Sequence, residues 1–497
     1  MKILSRLFNG ISNLADKAAE DPRFTIKLFL AAFVLRALFT FIHTHTYLFS
    51  DMLGYNEAAI SLLQDHQFRV KGIISASRPP IYPYFLVVVY YIFGHSLLAA
   101  RLVQAVTGAL TAVIVFKCGE IMFDRRSGVL AGLFYAGYTA AWAFGDMLLT
   151  ENLFTLLLMI TVFFMLKIIV PGAGGAEYYS AANGRQEYHL STGLIQENLR
   201  GGSPWFIFWA GLSAGLAALT RTSFTPFIPF VLIGVIIFKF KSPKVVSRFA
   251  LMTLIFLMTV FPWMLRNYYT HGMLTMNPKS GSDFCLYNHS GLKYIIINYE
   301  DPSYFIEVEG WKWSEVEKGR FGSKMAVEWI KSHPLLFMVK GFRMMMNIWG
   351  FDRDYVWWYI AGSFGHDPVW LTAILALLTN FPFVIIAPLA IAGFFISSPF
   401  KDRLLIPTLI IACFHLVTFV VYGFSRHRFP YAALLIIWAA YAALNWKTVS
   451  ATLSLKKPSW RKSGVIIGWI FLLFSWTTEF LLDVGSLFSL KFAFPGY

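Results

Sequence analysis

A chain of 497 residues that is 57% hydrophobic and only 14% charged lies outside the composition of soluble domains, which are near half apolar and a quarter charged. Its net charge of +15 reflects 42 Lys plus Arg against 27 Asp plus Glu. No basic stripe interleaves with aromatics outside the apolar runs, which argues against nucleic acid as a partner. Apolar runs recur to the C-terminus, and the fold class they predict is an all-α polytopic membrane protein.

In chain order, residues 1–27 read as a basic, amphipathic cytoplasmic segment. They show no short apolar core with a small-residue cleavage site, so the first span is expected to be an uncleaved anchor. Spans are predicted near 28–48, 96–116, 128–145, 152–169, 205–220, 222–238, 249–265, 371–395, 404–422, 430–446 and 464–483, about eleven in all. Lys2, Arg6, Lys17, Arg23 and Lys27 precede the first span. Arg125 and Arg126, then Lys239, Lys241, Lys244 and Arg248, then Lys401 and Arg403, then Lys447, Lys456, Lys457, Arg461 and Lys462 fall on the same side. That side is expected to be cytoplasmic.

This sidedness puts a first loop, 49–95, outside, and a Gly-, Ser- and Asn-rich linker, 171–204, inside. Together, 28–265 form one transmembrane module, followed by an external and interfacial segment, 266–370. C-terminal transmembrane helices occupy 371–483, and 484–497 is an external tail. Residues 80–93 begin with prolines and are short, and 334–350 carry Lys340 and Arg343; both are expected to lie along the outer interface rather than to span. Between 266 and 333, Tyr294, Tyr299, Tyr304, Trp311 and Trp313 alternate with charges, as in a folded segment above the membrane. The two halves share no repeat, which weighs against a transporter or flippase of lipid-linked sugars; a non-catalytic scaffold is the third class considered.

Polar residues gather on the predicted outer rim. Asp51 with Tyr55 and Glu57 follows the first span, and Gly145-Asp146-Met147-Leu148-Leu149-Thr150-Glu151 joins the third and fourth. Arg78 and Tyr82 lie in the first loop, while Arg266 and Ser425-Arg426-His427-Arg428 lie at later span ends. Carboxylates at a bilayer are costly unless they face water, a cation or a substrate. The pattern suits transfer from a phosphate-linked lipid: a carboxylate takes the proton of an acceptor hydroxyl, and guanidiniums hold the phosphate bidentately as charge grows on it. Arginines can manage a monophosphate leaving group, so no cofactor is required and no divalent metal is indicated. Glu57 reads as a solvated helix face, and Asp146 equally as a helix cap. Arg36, mid-span, must pair inside the bundle or reach water. His43 and His45, two apart, do not share a helical face. Cys118, Cys285 and Cys413 form neither a disulfide framework nor a metal-ligand spacing.

Arg78-Pro79-Pro80-Ile81-Tyr82-Pro83 after the Asp51 segment, then Gly94 with Ala100-Arg101-Leu102, resemble the GT-C superfamily of polytopic glycosyltransferases. The likeness is nearest to the bacterial branch related to protein O-mannosyltransferases and to the aminoarabinose transferase of lipid A. Leu148-Leu149-Thr150-Glu151, Leu219-Thr220-Arg221-Thr222, Phe261-Pro262-Trp263 with Arg266-Asn267, and Ser425–Pro430 continue it in order. It covers residues 28–270 well and 330–446 loosely. His427 departs from the pattern, standing where an aromatic is usual.

The resemblance implies an inverting transfer at the outer face from a sugar on a polyprenyl phosphate to a glycan, lipid or protein acceptor. It places the first-loop catalytic acid at Asp51 and the second-loop acid at Glu151, with Asp146 the alternative. Arg78, Arg266, Arg426, Arg428 and His427 are then the candidates for the donor phosphate, and Tyr55, Tyr82 and Arg221 for the substrate cavity. The expected location is the bacterial inner membrane, with the site facing the periplasm.

Overall fold

The computed structural model describes residues 2–42, 48–169, 203–239, 242–286, 288, 313–352, 369–400, 402–421 and 423–488. His43, His45, most of the 171–204 linker and most of the external tail lie outside these residues. The helices are α1 (Lys2–Glu20), α2 (Phe24–Ile42), α3 (Asp51–Asp65), α4 (Ile81–Phe93), α5 (Leu97–Met122), α6 (Arg125–Ala136), α7 (Thr139–Asp146), α8 (Glu151–Ile169), α9 (Pro204–Thr220) and α10 (Phe227–Lys239). Then come α11 (Pro243–His271), α12 (Ser280–Cys285), α13 (Glu315–Ser332), α14 (Pro334–Trp349), α15 (Val369–Ile396), α16 (Leu405–Val420), α17 (Ser425–Leu444), α18 (Trp446–Ser454) and α19 (Trp460–Phe488).

Among the described residues, six helices are long and apolar enough to cross a bilayer: α2, α5, α8, α11, the Leu377–Ile396 part of α15 and the Trp460–Leu481 part of α19. The pair α17 and α18, bent by 78° at their junction, makes a seventh candidate. Helices α4, α9, α10 and α16 are apolar but shorter, so about eleven full-length spans is more than length and hydropathy alone support. The predicted span 128–145 is two helices, because the chain breaks at Gly137 and Tyr138 between α6 and α7. Large apolar side chains such as Ile26, Leu38, Leu257, Met258 and Phe480 face outward, as lipid-facing residues do, and the chain is an integral membrane protein.

Small residues allow the central helices to approach closely. A Cβ on Gly119 of α5 would lie 2.8 Å from the Cα of Gly128 on α6, and Gly211 and Gly215 of α9 face Ile255 and Thr259 of α11 at comparable range. Helix α17 is buried along nearly its whole length and packs against α6, α8 and α15, which makes it the core of the bundle. Helix α1 docks on this bundle: Arg126 of α6 pairs with Asp16, and Phe8 stacks on Trp446.

Outside the bundle, the first loop folds as α3, a two-residue hairpin and α4. Lys71 and Gly72 both take positive φ (53° and 75°), the backbone of a tight type I′ turn. Glu57, read above as a solvated face, accepts the Lys71 N–H at 3.0 Å and anchors the turn to α3. Gly281 lies directly against Gly319, and a Cβ on Gly322 would meet the Gly281 carbonyl at 2.5 Å, so α12 and α13 cross in close contact. Lys340 belongs to α14. It is buried and donates to the carbonyls of Phe419, Val420 and Val421, capping the C-terminal end of α16.

Candidate active site

Two acidic residues open helices at this rim. Asp51 is the first residue of α3 and Glu151 the first of α8, where the helix dipole favours negative charge. Ser50, just before Asp51, has φ of 51°, a left-handed conformation that a non-glycine residue adopts at a cost of about 1–3 kcal/mol and that turns the chain into α3.

Asp51 lies between two guanidiniums. Arg78 Nη1 is 2.8 Å from its Oδ1, and Arg426 Nη2 is 3.3 Å from its Oδ2. Burial pushes the Asp51 carboxyl up, but the fields of Arg426 and Arg78, with a smaller one from Arg221, outweigh it and hold the group below the usual carboxylate range. Arg78 also rests over the Tyr55 ring at 5.3 Å and runs beside Gly54, where a Cβ would lie 3.0 Å from its Nε. Burial, then the neighbouring Asp51 charge, raises the Tyr55 hydroxyl to about 12.

Glu151 pairs with Arg221 at 2.7 Å; the carboxylate is nearly sealed from solvent and the guanidinium is partly buried. Arg221 sits at the α9–α10 turn and its field reaches Asp51, so the two acids belong to one charged cluster. Tyr55 meets Tyr82 edge-on at 5.2 Å. The Tyr82 hydroxyl donates to Gln104 Oε1 at 2.7 Å, and the Gln104 amide donates to the carbonyls of Gly145 and Met147. Asn152 in turn donates to the Gln104 carbonyl. One α5 glutamine therefore ties the Arg78 loop to the Glu151 loop.

Other candidates are engaged elsewhere. Asp146 is held by Arg101, whose Nε and Nη2 donate to its two carboxylate oxygens, and accepts the Thr40 hydroxyl at 2.6 Å. Arg428, expected at the donor phosphate, is buried and donates to the carbonyls of Ile348 and Gly350 and to Asp352, over the Phe383 ring. Arg266, also expected there, donates to the Ser75 carbonyl and lies over Trp263, fastening the first loop to α11. His427 accepts the Phe424 N–H within the first turn of α17. Arg36 pairs inside the bundle, donating to the Ala32 and Tyr135 carbonyls.

Sequence reasoning missed Gln104 and Glu315, and gave Arg101 only as part of a family motif without a role. Gln104 and Arg101 are polar residues amid the small and apolar neighbours of the first two turns of α5, the signal that could have marked them. Glu315, which begins α13, accepts the Ser75 hydroxyl at 2.5 Å and the Ala76 N–H at 2.9 Å, docking the external segment on the first loop. Its signal is the capping box Ser314 to Glu317. Among the described residues, no group of three or more His, Cys, Asp and Glu side chains is placed to hold a metal ion.

Residues 77–181 match the family described as Dolichyl-phosphate-mannose-protein mannosyltransferase. No curated protein matches the chain in sequence. Among solved structures, ArnT from Cupriavidus metallidurans bound to undecaprenyl phosphate is similar at 13% identity and a TM-score of 0.50, over 94% of this chain and 74% of that one. The Archaeoglobus fulgidus oligosaccharyltransferase AglB, in complex with an inhibitory peptide and a dolichol-phosphate, aligns at 14% identity and a TM-score of 0.43, over 92% of this chain and 56% of that one. Its apo form aligns at 13% and 0.46. This chain spans little more than half the length of the archaeal enzyme. The chain shares its fold with ArnT, in keeping with the resemblance that the sequence motifs carry.

Proposed function

We propose that the chain is an inverting glycosyltransferase that moves a sugar from a polyprenyl-phosphate donor to an acceptor hydroxyl at the outer face of a bacterial inner membrane. The observation that carries this reading is the Asp51 carboxylate held beside two guanidiniums on the rim of the bundle. The acceptor is a glycan, a glycolipid or a protein.

In this reading the acceptor oxygen forms a bond to the anomeric carbon while Asp51 takes its proton. The bond from that carbon to the phosphate oxygen breaks, and the lipid phosphate leaves with the electron pair. Arg78 and Arg426 bind the phosphate and offset the charge that grows on it. Glu151 and Arg221 line the floor of the site, and Tyr55 and Tyr82 its wall. Asp146, Arg266 and Arg428 hold the scaffold. Because α4 is short and led by prolines, it is assigned to the outer interface, where a polyprenyl tail can stay in lipid while its phosphate reaches Arg78.

Lipid analysis of a deletion strain tests the assignment. A polyprenyl-phosphate sugar should accumulate, and a copy of the gene carrying Asp51→Asn should fail to clear it, with a loss of turnover of about 10²–10⁴-fold in vitro. Wild-type turnover by Asp51→Ala would overturn the reading.

A further inference from the structure

We propose that the Asp51 carboxylate occupies the seat of the donor phosphate, so that a lipid phosphate binding to Arg78 and Arg426 displaces it and thereby releases the base. This rests on the function proposed above. Each guanidinium contacts a different carboxylate oxygen, the bridging geometry that two oxygens of a phosphate would adopt. A carboxylate held by two cations is a poor proton acceptor, so these pairs must loosen before Asp51 can act.

The pairs are built to loosen. The side chains of Asp51, Arg78 and Arg426 are 27%, 30% and 19% exposed. The Arg428–Asp352 pair of the same bundle, by contrast, is only 1% and 3% exposed. Arg78 is also held independently of Asp51, by the Tyr55 ring and the groove over Gly54, so its guanidinium keeps its place when the carboxylate leaves. As the sugar departs, the phosphate gains charge and its hold on the arginines tightens. Once Asp51 has lost the acceptor proton to solvent, it competes for them again and helps to expel the spent lipid phosphate.

The test titrates undecaprenyl phosphate into the purified full-length protein in detergent. Asp51→Asn should bind it about tenfold more tightly than wild type, within the usual range of coupling between sites. Asp51→Ser should shift affinity in the same direction, which guards against an effect peculiar to the amide. In an Arg78→Ala/Arg426→Ala background there is nothing left to compete for, and Asp51→Asn should change Kd by less than about threefold. An equal gain in both backgrounds would reduce the effect to charge repulsion and overturn the exchange. Unchanged or weaker binding by Asp51→Asn, with Arg78→Ala and Arg426→Ala both weakened, overturns the exchange and leaves the phosphate site standing. Wild-type affinity in both arginine variants removes the phosphate site itself.

Discussion

Glu151 Oε1 and Arg221 Nη1 lie 2.7 Å apart, with side-chain exposures of 3% and 15%, and the Arg221 field reaches Asp51. Removing either partner strands a buried charge at a cost of about 3–5 kcal/mol. Glu151→Ala and Arg221→Ala should each lower the thermal stability of the detergent-solubilised protein markedly, and the double variant should lose less than the sum. Additive losses would mean that the pair is not coupled.

Gln104 carries no charge, yet it registers two loops of the site. Gln104→Leu leaves the Tyr82 hydroxyl and the Gly145 and Met147 carbonyls without this partner, so the Glu151 loop should drift relative to Arg78. A displacement near 1 Å costs about 10²-fold in rate. The expected result is a fall in kcat of that order with affinity for undecaprenyl phosphate retained. Unchanged kcat would assign Gln104 to packing alone.

Lys340 gives a pH signature. Burial lowers its ammonium to about 7, from an ordinary value of 10.5. Between those values the unfolded chain keeps the proton while the folded chain sheds it, so stability should rise with pH from about 7 toward 10. The slope is at most about 1.4 kcal/mol per pH unit. Melting temperatures across pH 7–9 should show the rise in wild type and lose this contribution in Lys340→Met. An identical slope in both proteins would reject the assignment.

Sidedness can be read by cysteine labelling, because the native thiols Cys118, Cys285 and Cys413 are buried. Lys71→Cys in the hairpin and Lys324→Cys on α13 should react with an impermeant reagent in intact cells, while Lys457→Cys should react only after lysis. Labelling of Lys457→Cys from outside, with Lys71→Cys protected, would turn the site to the cytoplasm.

The sequence alone determined the membrane class and most of the helices, because twenty-residue apolar runs carry their own signal. It also brought Asp51, Arg78 and Arg426 onto one list, since charged residues beside apolar runs are few and conspicuous. It could not choose between Asp146 and Glu151, five residues apart on one short loop. The structure gives them different partners: Arg101 from α5 pairs with Asp146, and Arg221 from the α9–α10 turn pairs with Glu151. Arg426 and Arg428 stand two apart on one helix and read alike in sequence. Helical geometry sends them in different directions, one to Asp51 on the rim and the other into a sealed pocket with Asp352. Ion pairs between residues more than three hundred positions apart, such as Asp51 with Arg426, depend on how the bundle closes, and only the tertiary structure decides that.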